Sequence, residues 1–194
     1  MQNDLSDEQL VSLYLGGDEV SLQSLVRRHT TGVYNFVSQL VGYGQNAEDV
    51  VQEAFIKAWK NLKKFNLDKK FKPWLYRIAR NSAIDFLRQQ KSTIPLVNAY
   101  DDEEKDGADY LVDPAPLPLE QAISSETKEI IQKLIHSLPQ IYSLVLKLYY
   151  LEEFSLPEIA EILDESIDTV KSKHRRALIK LRKLISEDSK LVPN

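Results

Sequence analysis

Thr169, Lys171, Ser172, Arg175 and Arg176 lie on a stretch near the C-terminus whose apolar residues, Val170, Leu178, Leu181 and Ile185, recur at helical spacing. With the apolar set inward these five project outward. They are the side-chain types that reach phosphates and guanine edges in a DNA major groove. A short helical pattern over 155–163 and a tight connection, Asp164-Glu165-Ser166, precede them, which makes a helix-turn-helix arrangement. An αα-hairpin with a solvated basic face is the plainer alternative for this segment alone. His174, four residues after Val170 and four before Leu178, falls on the inner face rather than at DNA.

A second cluster interleaves Phe65, Phe71, Trp74 and Tyr76 with Lys63, Lys64, Lys69, Lys70, Lys72, Arg77 and Arg80. Unstacked bases are held on aromatic faces while cations follow the backbone, and a loop between two rigid helices can supply the pocket a flipped base needs. The same aromatics at helical spacing serve equally as core. A third feature is the stripe Asp49, Gln52, Glu53 and Ile56, spaced i, i+3, i+4, i+7, which suits docking on a partner helix; an ordinary solvated face is the other reading.

Enzymatic chemistry has no comparable support. Glu48, Asp49 and Glu53 lack a further acid or histidine to complete a metal site, and His29, His136 and His174 are far apart. There is no cysteine, so disulfides, thiol nucleophiles, zinc ribbons and iron–sulfur clusters are excluded. No P-loop, glycine-rich dinucleotide loop or serine elbow occurs. The expectation is a protein that is not an enzyme and holds no cofactor and no metal.

The elements that must position these residues are helical, because strand alternation is nearly absent. Ser6-Asp7-Glu8-Gln9 is a capping box, and Gly16-Gly17 closes the first helix. A second pattern runs from Leu22 to Val41 and stops at Gly42 and Gly44; a third starts with Asn46 as its N-cap; a fourth starts with Pro73 at the first helical position. Residues 92–118 hold the acidic run Asp101-Asp102-Glu103-Glu104 with Pro95, Pro114, Pro116 and Pro118, the composition of a flexible linker. Helical patterning resumes from about 119, Pro139 opens the next helix, and Ser155–Glu158 is a further capping box.

The 194 residues, 43% apolar and 28% charged, have ordinary globular usage. No apolar run approaches bilayer length and the N-terminus is not a secretory signal, so the expected location is cytoplasmic. The net charge of −4 hides a strong division. Residues 57–91 hold eleven Lys/Arg against two acids, 92–126 one against nine, and 168–185 seven against one. Local charge is what a phosphate backbone feels, since screening acts over about 8 Å at physiological salt. The expected fold is all-α, with two helical domains, 1–91 and 119–187, an acidic linker at 92–118 and a tail at 188–194.

In order, AEDVVQEAFIKAW (47–59), FKPWLYRIARNSAIDFLR (71–88), LPQIYSLVLKLYYLEEFSLPEIAEIL (138–163) and TVKSKHRRALIKLRKLI (169–185) resemble the extracytoplasmic-function (ECF) sigma factors, the two-domain specificity subunits of bacterial RNA polymerase. The likeness spans nearly the whole chain apart from the linker and the extreme C-terminus. It departs at His174, where the family usually has an aliphatic residue, at 164–168, which lack proline and glycine, and at Pro73, where a small polar residue is common.

The resemblance implies that 1–91 form a sigma-2 domain and 119–187 a sigma-4 domain. It implies that Asp49, Gln52, Glu53 and Ile56 dock on the clamp helices of the polymerase beta-prime subunit. Asn66, Leu67, Asp68, Lys69, Lys70 and Phe71 would capture a flipped non-template base of the −10 element, with Trp74, Arg77, Arg80 and Asn81 assisting melting. Ser166, Thr169, Lys171, Ser172, Lys173, Arg175 and Arg176 would read the −35 duplex, while the rest of sigma-4 contacts the beta flap. An anti-sigma factor is a further expected partner. The rival readings are a dimeric helix-turn-helix regulator, which leaves the third and fourth helices without a role, and a non-DNA helical adaptor, which leaves the basic clusters without one.

Overall fold

The computed structural model describes residues 5–91 and 133–188. The linker and the C-terminal tail of the sequence reading lie outside the described residues, apart from the tail's first residue, Asp188. The fold is all-α: α1 (Asp7–Leu15), α2 (Glu19–Val41), α3 (Gln45–Asn61), a 3-10 turn (Leu62–Lys64) and α4 (Phe71–Lys91), then α5, described over 133–137, α6 (Gln140–Tyr150), α7 (Leu156–Leu163) and α8 (Ile167–Asp188). Its contacts divide the chain into two units, residues 1–96 with 157–165, and residues 97–156 with 166–194.

In the first unit the capping box forms as expected. Gln9 N donates to Ser6 Oγ at 3.2 Å and Ser6 N donates to Gln9 Oε1 at 2.8 Å. Gly17, at φ +104°, reverses the chain, and Asp18 then caps α2 by accepting from Val20 N at 3.1 Å. Two boundaries differ from the sequence reading. Asn46 is not the N-cap of α3: the helix begins at Gln45, and Gly44 O accepts from Ala47 N and Glu48 N, so the backbone supplies the turn that an Asn side chain was expected to supply. α4 begins at Phe71, which puts Pro73 at its third position rather than its first. Proline is tolerated there because N–H groups of the first turn have no intrahelical partner.

The core of this unit follows the helical period. Leu25, Val33, Phe36 and Val37 of α2, Val50, Val51, Ala54, Phe55 and Ala58 of α3, and Leu75, Tyr76, Ala79 and Ala83 of α4 are all buried. Alanines at the α3 and α4 contact positions let the two backbones approach. Phe36 and Tyr76 meet at 5.2 Å between ring centroids.

α1 is tied to α2 by charge. Asp7 Oδ1 accepts from Arg28 Nη1 at 2.7 Å, and Asp7 Oδ2 lies 2.7 Å from Nε2 of the buried His29. Burial alone raises the Asp7 pKa, but His29 and Arg28 outweigh it and hold the carboxyl below the ordinary aspartate value. Because the folded pKa is the lower one, this stabilisation is fully present above the unfolded aspartate pKa of roughly 3.9 and is lost as pH falls through the folded value. Asp7→Asn is therefore expected to lower the melting temperature at pH 7 and to flatten the acid limb of the stability profile. A parallel downward shift at every pH would contradict this.

The second unit is built on α5, α6 and α8. Ile135, Leu138, Tyr142, Leu146, Ala177, Leu178 and Leu181 form one buried cluster, flanked by Leu134, Ile141, Tyr150, Leu184 and Ile185. Val170, Leu178, Leu181 and Ile185 thus face inward as the spacing predicts, Ile185 at the margin. Lys147 is buried in α6, with Nζ 3.2 Å from His136 Nδ1; burial pushes the lysine below its ordinary pKa and, with the lysine charge, does the same to the imidazole. Among the described residues no helix is long and apolar enough to cross a membrane.

Candidate functional site

The α3 stripe is real and outward. Asp49, Gln52, Glu53 and Ile56 are all exposed, Ile56 by 51%, on the side opposite the buried Val50, Val51, Ala54 and Phe55. Lys57 stands next to it, bridging Glu53 Oε1 at 2.9 Å and Asp85 Oδ2 of α4 at 3.3 Å. The Glu53 hydrogen bond, with help from Asp85, raises the lysine above its ordinary pKa. About half of the Ile56 surface is left open beside the stripe's polar side chains.

The 66–70 loop follows the 3-10 turn. Asn66 Oδ1 accepts from Asp68 N at 3.0 Å and Asn66 O accepts from Lys69 N at 3.0 Å, an Asx turn that leaves all five side chains exposed. Leu67, 43% exposed, is an apolar tip in a basic loop. Lys70 Nζ lies 2.8 Å from Glu158 Oε1, whose helix belongs to the same contact unit, and this partner raises the lysine pKa.

The aromatic residues divide differently from the sequence reading. Phe71 and Tyr76 have no exposed surface and Phe65 is 8% exposed, so three of the four rings are core rather than a stacking platform. Phe71 in particular, placed in the −10 set with the loop, is the hub of a cluster. Its ring lies 6.5 Å from Trp59 and nearly parallel, 5.8 Å from Phe65 edge-on, 5.6 Å from Trp74 and 5.6 Å from His29. The helical period explains the division: positions 71, 75 and 79 turn inward, while 74, 77 and 81 share the other face. Trp74, half-buried, is the ring of the four that keeps open surface. Arg77 and Asn81 are exposed beside it, and Arg80 Nη1 donates to Asn81 Oδ1 at 3.3 Å.

On α8, Thr169, Lys171 and Arg176 are exposed, and Ser172, Lys173 and Arg175 are half-buried. Ser166 is the residue before α8. Its Oγ accepts from Thr169 N at 3.1 Å and lies 2.8 Å from Thr169 Oγ1, so these two hydroxyls cap the helix together. The turn before it needs neither proline nor glycine, because Asp164 adopts φ +55°, which aspartate tolerates better than most residues. His174 packs on Tyr149 at 4.7 Å and Tyr150 at 6.1 Å, as its inward register predicts. Its buried Nε2 has no hydrogen-bond partner, and burial pushes the imidazole below its ordinary pKa.

Among the described residues no group of three or more His, Asp and Glu side chains could hold a metal ion. Sequence reasoning missed Lys57 as the brace of the α3 face and Glu8, whose Oε1 accepts from Phe71 N at 2.9 Å across 63 residues. The i, i+4 spacing of Glu53 and Lys57 was a usable signal for the first. A contact across so long a stretch of chain leaves none.

The family profile of Sigma-70 region 2 matches residues 25–93, and that of Sigma-70 region 4 matches residues 128–181. The ECF RNA polymerase sigma factor SigW of Bacillus subtilis (strain 168) is 36% identical over 177 residues, covering 88% of this chain and 92% of that protein. The ECF RNA polymerase sigma-E factor of Escherichia coli (strain K12) is 36% identical over 182 residues, covering 91% and 93%. The fold is shared with CnrH as solved in complex with the cytosolic domain of CnrY, with a TM-score of 0.60 at 23% identity over 94% of this chain and 98% of that one. Two family profiles in the expected order, and relatives matched along almost their full length, leave the helix-turn-helix regulator and the adaptor without support: this chain belongs to the ECF family of RNA polymerase sigma factors.

Proposed function

We propose that this sigma factor divides its work among three surfaces and does all of it by binding, with no catalytic step and no cofactor. Residues 1–91 form the sigma-2 domain. Its Asp49, Gln52, Glu53 and Ile56 dock on the beta-prime clamp helices of core polymerase. Its 66–70 loop, with Trp74, Arg77, Arg80 and Asn81, holds the melted −10 strand. Phe71 serves this site from the core, as the packing on which the loop ends. Residues 119–187 form the sigma-4 domain, which sits on the beta flap and reads the −35 duplex with Lys171, Ser172, Lys173, Arg175 and Arg176 behind the Ser166–Thr169 cap. The acidic segment 92–118 joins the domains and repels nucleic acid until displaced, and the protein works in the cytoplasm. Among the solved structures, RpoE of Bartonella quintana is in complex with the anti-sigma factor NepR; an anti-sigma factor is proposed as a partner of this chain too.

The observation that carries the reading is Ile56, 51% exposed at the end of the polar stripe Asp49, Gln52 and Glu53 on one unit, together with separate basic surfaces on the 66–70 loop and on α8. Neither basic surface is large and the net charge is −4, so each alone binds DNA weakly. Holding both on the polymerase at fixed spacing raises the effective concentration of each site for its element. The test is run-off transcription with bacterial core polymerase on fragments of the source genome. Specific initiation is expected only when this protein is present. Arg176→Ala is expected to lower promoter occupancy about tenfold to a hundredfold and to relax sequence preference at one −35 position, as loss of a base-reading arginine does. Initiation that persists with unchanged preference would remove Arg176 from the reading set. Tight, specific binding of promoter duplex by the protein alone would contradict the division of labour.

A further inference from the structure

The N-terminal turn of α1 reaches the start of α4, where the 66–70 loop ends. Four consecutive residues, Ser6-Asp7-Glu8-Gln9, divide three tasks. Ser6 and Gln9 cap their own helix, and Asp7 anchors it to Arg28 and His29 of α2. Glu8 crosses to the start of α4, where its Oε1 accepts from Phe71 N at 2.9 Å in a partly buried setting.

Phe71 is the first residue of α4, and the residue before it is Lys70, whose side chain has no acceptor to offer. A helix N-terminus leaves its first N–H groups without intrahelical partners, and an oxygen acceptor there is the usual remedy. Here α1 provides that acceptor from a distant part of the chain, and its negative charge also suits the positive end of the α4 dipole. The arrangement closes on itself. Asp7 holds His29, the His29 ring packs on Phe71 at 5.6 Å, and the Phe71 amide is held by Glu8, the neighbour of Asp7. The loop that ends at this amide has its own Asx turn at Asn66, and at its other end Lys70 pairs with the half-buried Glu158 at 2.8 Å.

We infer that Glu8 is a positioning residue for promoter opening: by capping α4 through the Phe71 amide, it keeps the 66–70 loop in the conformation that receives a flipped base. The inference rests on the proposed reading of that loop as the −10 site. Without the acceptor, the loop end samples other conformations, and apparent affinity for the strand falls by the fraction of molecules that leave the competent one. Core docking on α3 and duplex reading on α8 are untouched by this bond.

The experiment uses the full chain assembled with bacterial core polymerase, on a promoter at which this holoenzyme initiates. It measures core affinity, closed-complex affinity at low temperature, and permanganate reactivity of −10 thymines. Glu8→Ala is expected to lower thymine reactivity about fivefold to tenfold, the scale of a lost cap, with core affinity and closed-complex affinity unchanged. Glu8→Gln keeps a carbonyl acceptor and is expected to restore opening to within about twofold of the parent. If Glu8→Ala opens like the parent while Leu67→Ala does not, the positioning role is wrong and the loop reading stands. If Glu8→Gln fails as badly as Glu8→Ala, the acceptor role is wrong. If Leu67→Ala and Lys70→Ala both open normally, the loop is not the −10 site and the inference falls with it.

Discussion

Ile56→Asp, combined with Glu53→Lys, is expected to weaken binding to core polymerase by about a hundredfold or more and to abolish promoter-specific transcription. Ile56 is 51% exposed at the C-terminal end of the stripe, so in the free protein about half of its surface faces water. On a partner helix it becomes the desolvated apolar contact, with Asp49, Gln52 and Glu53 as its polar neighbours. Interface energy concentrates in a few desolvated residues, and a loss of about 1.4 kcal/mol or more for each of two changes corresponds to that hundredfold factor. The free protein should scarcely register the changes. Glu53 is half-exposed and its pair with Lys57 lies on the surface, where such pairs are worth about 0–1 kcal/mol. Lys57 also retains Asp85. Melting temperature within a few degrees of the parent, together with lost core binding, is the expected pattern. Core binding at parental affinity would show that this stripe is merely a solvated face.

The parts of the molecule that were legible in the sequence are those governed by short-range rules. The Ser6–Gln9 capping box and the Gly17 and Gly42 chain reversals follow from the backbone needs of helix ends, and all of them are present. The inward faces of α2, α3 and α8 follow from the 3.6-residue period, as does the register of His174. The α3 stripe was legible for the same reason: 49, 52, 53 and 56 share a face whatever the helix packs on. The errors came where one local rule has two physical answers. Asn46 and Pro73 are good helix-start residues, but Gly44 turned the chain two residues earlier than Asn46 would have done, and a first turn accepts proline at any of several positions. Aromatics among lysines satisfy both a stacking platform and a core, and only the packing of α1, α2 and α3 around α4 separates Phe71 from Trp74. Glu8 was invisible because its partner is a backbone amide 63 residues away, and a backbone amide carries no sequence identity.

Phe71→Ala is expected to destabilise the first unit by about 3–5 kcal/mol, the cost of emptying a fully buried aromatic site. The ring has no exposed surface and touches Trp59, Phe65, Trp74 and His29, side chains from α2, α3, α4 and the chain between, so the void cannot close by moving one neighbour. A domain of this size shifts its melting temperature by about 4–8 °C per kcal/mol, which puts the expected fall above roughly 12 °C. Phe71→Leu refills most of the volume and should cost less than half as much. The contrast with Trp74 separates core from contact. Trp74 keeps open surface beside Arg77 and Asn81, so Trp74→Ala should lower −10 opening by more than its smaller stability loss explains. Phe71→Leu should open the promoter nearly as the parent does at a temperature where both are folded. Differential scanning calorimetry and permanganate footprinting on the same variants decide the matter. If Phe71→Ala moves the melting temperature by less than about 3 °C while abolishing opening, the ring is a DNA contact and the packing assignment is wrong. A large thermal shift, with opening preserved in Phe71→Leu, places the ring beneath the loop, where its task is to hold the surface that touches DNA.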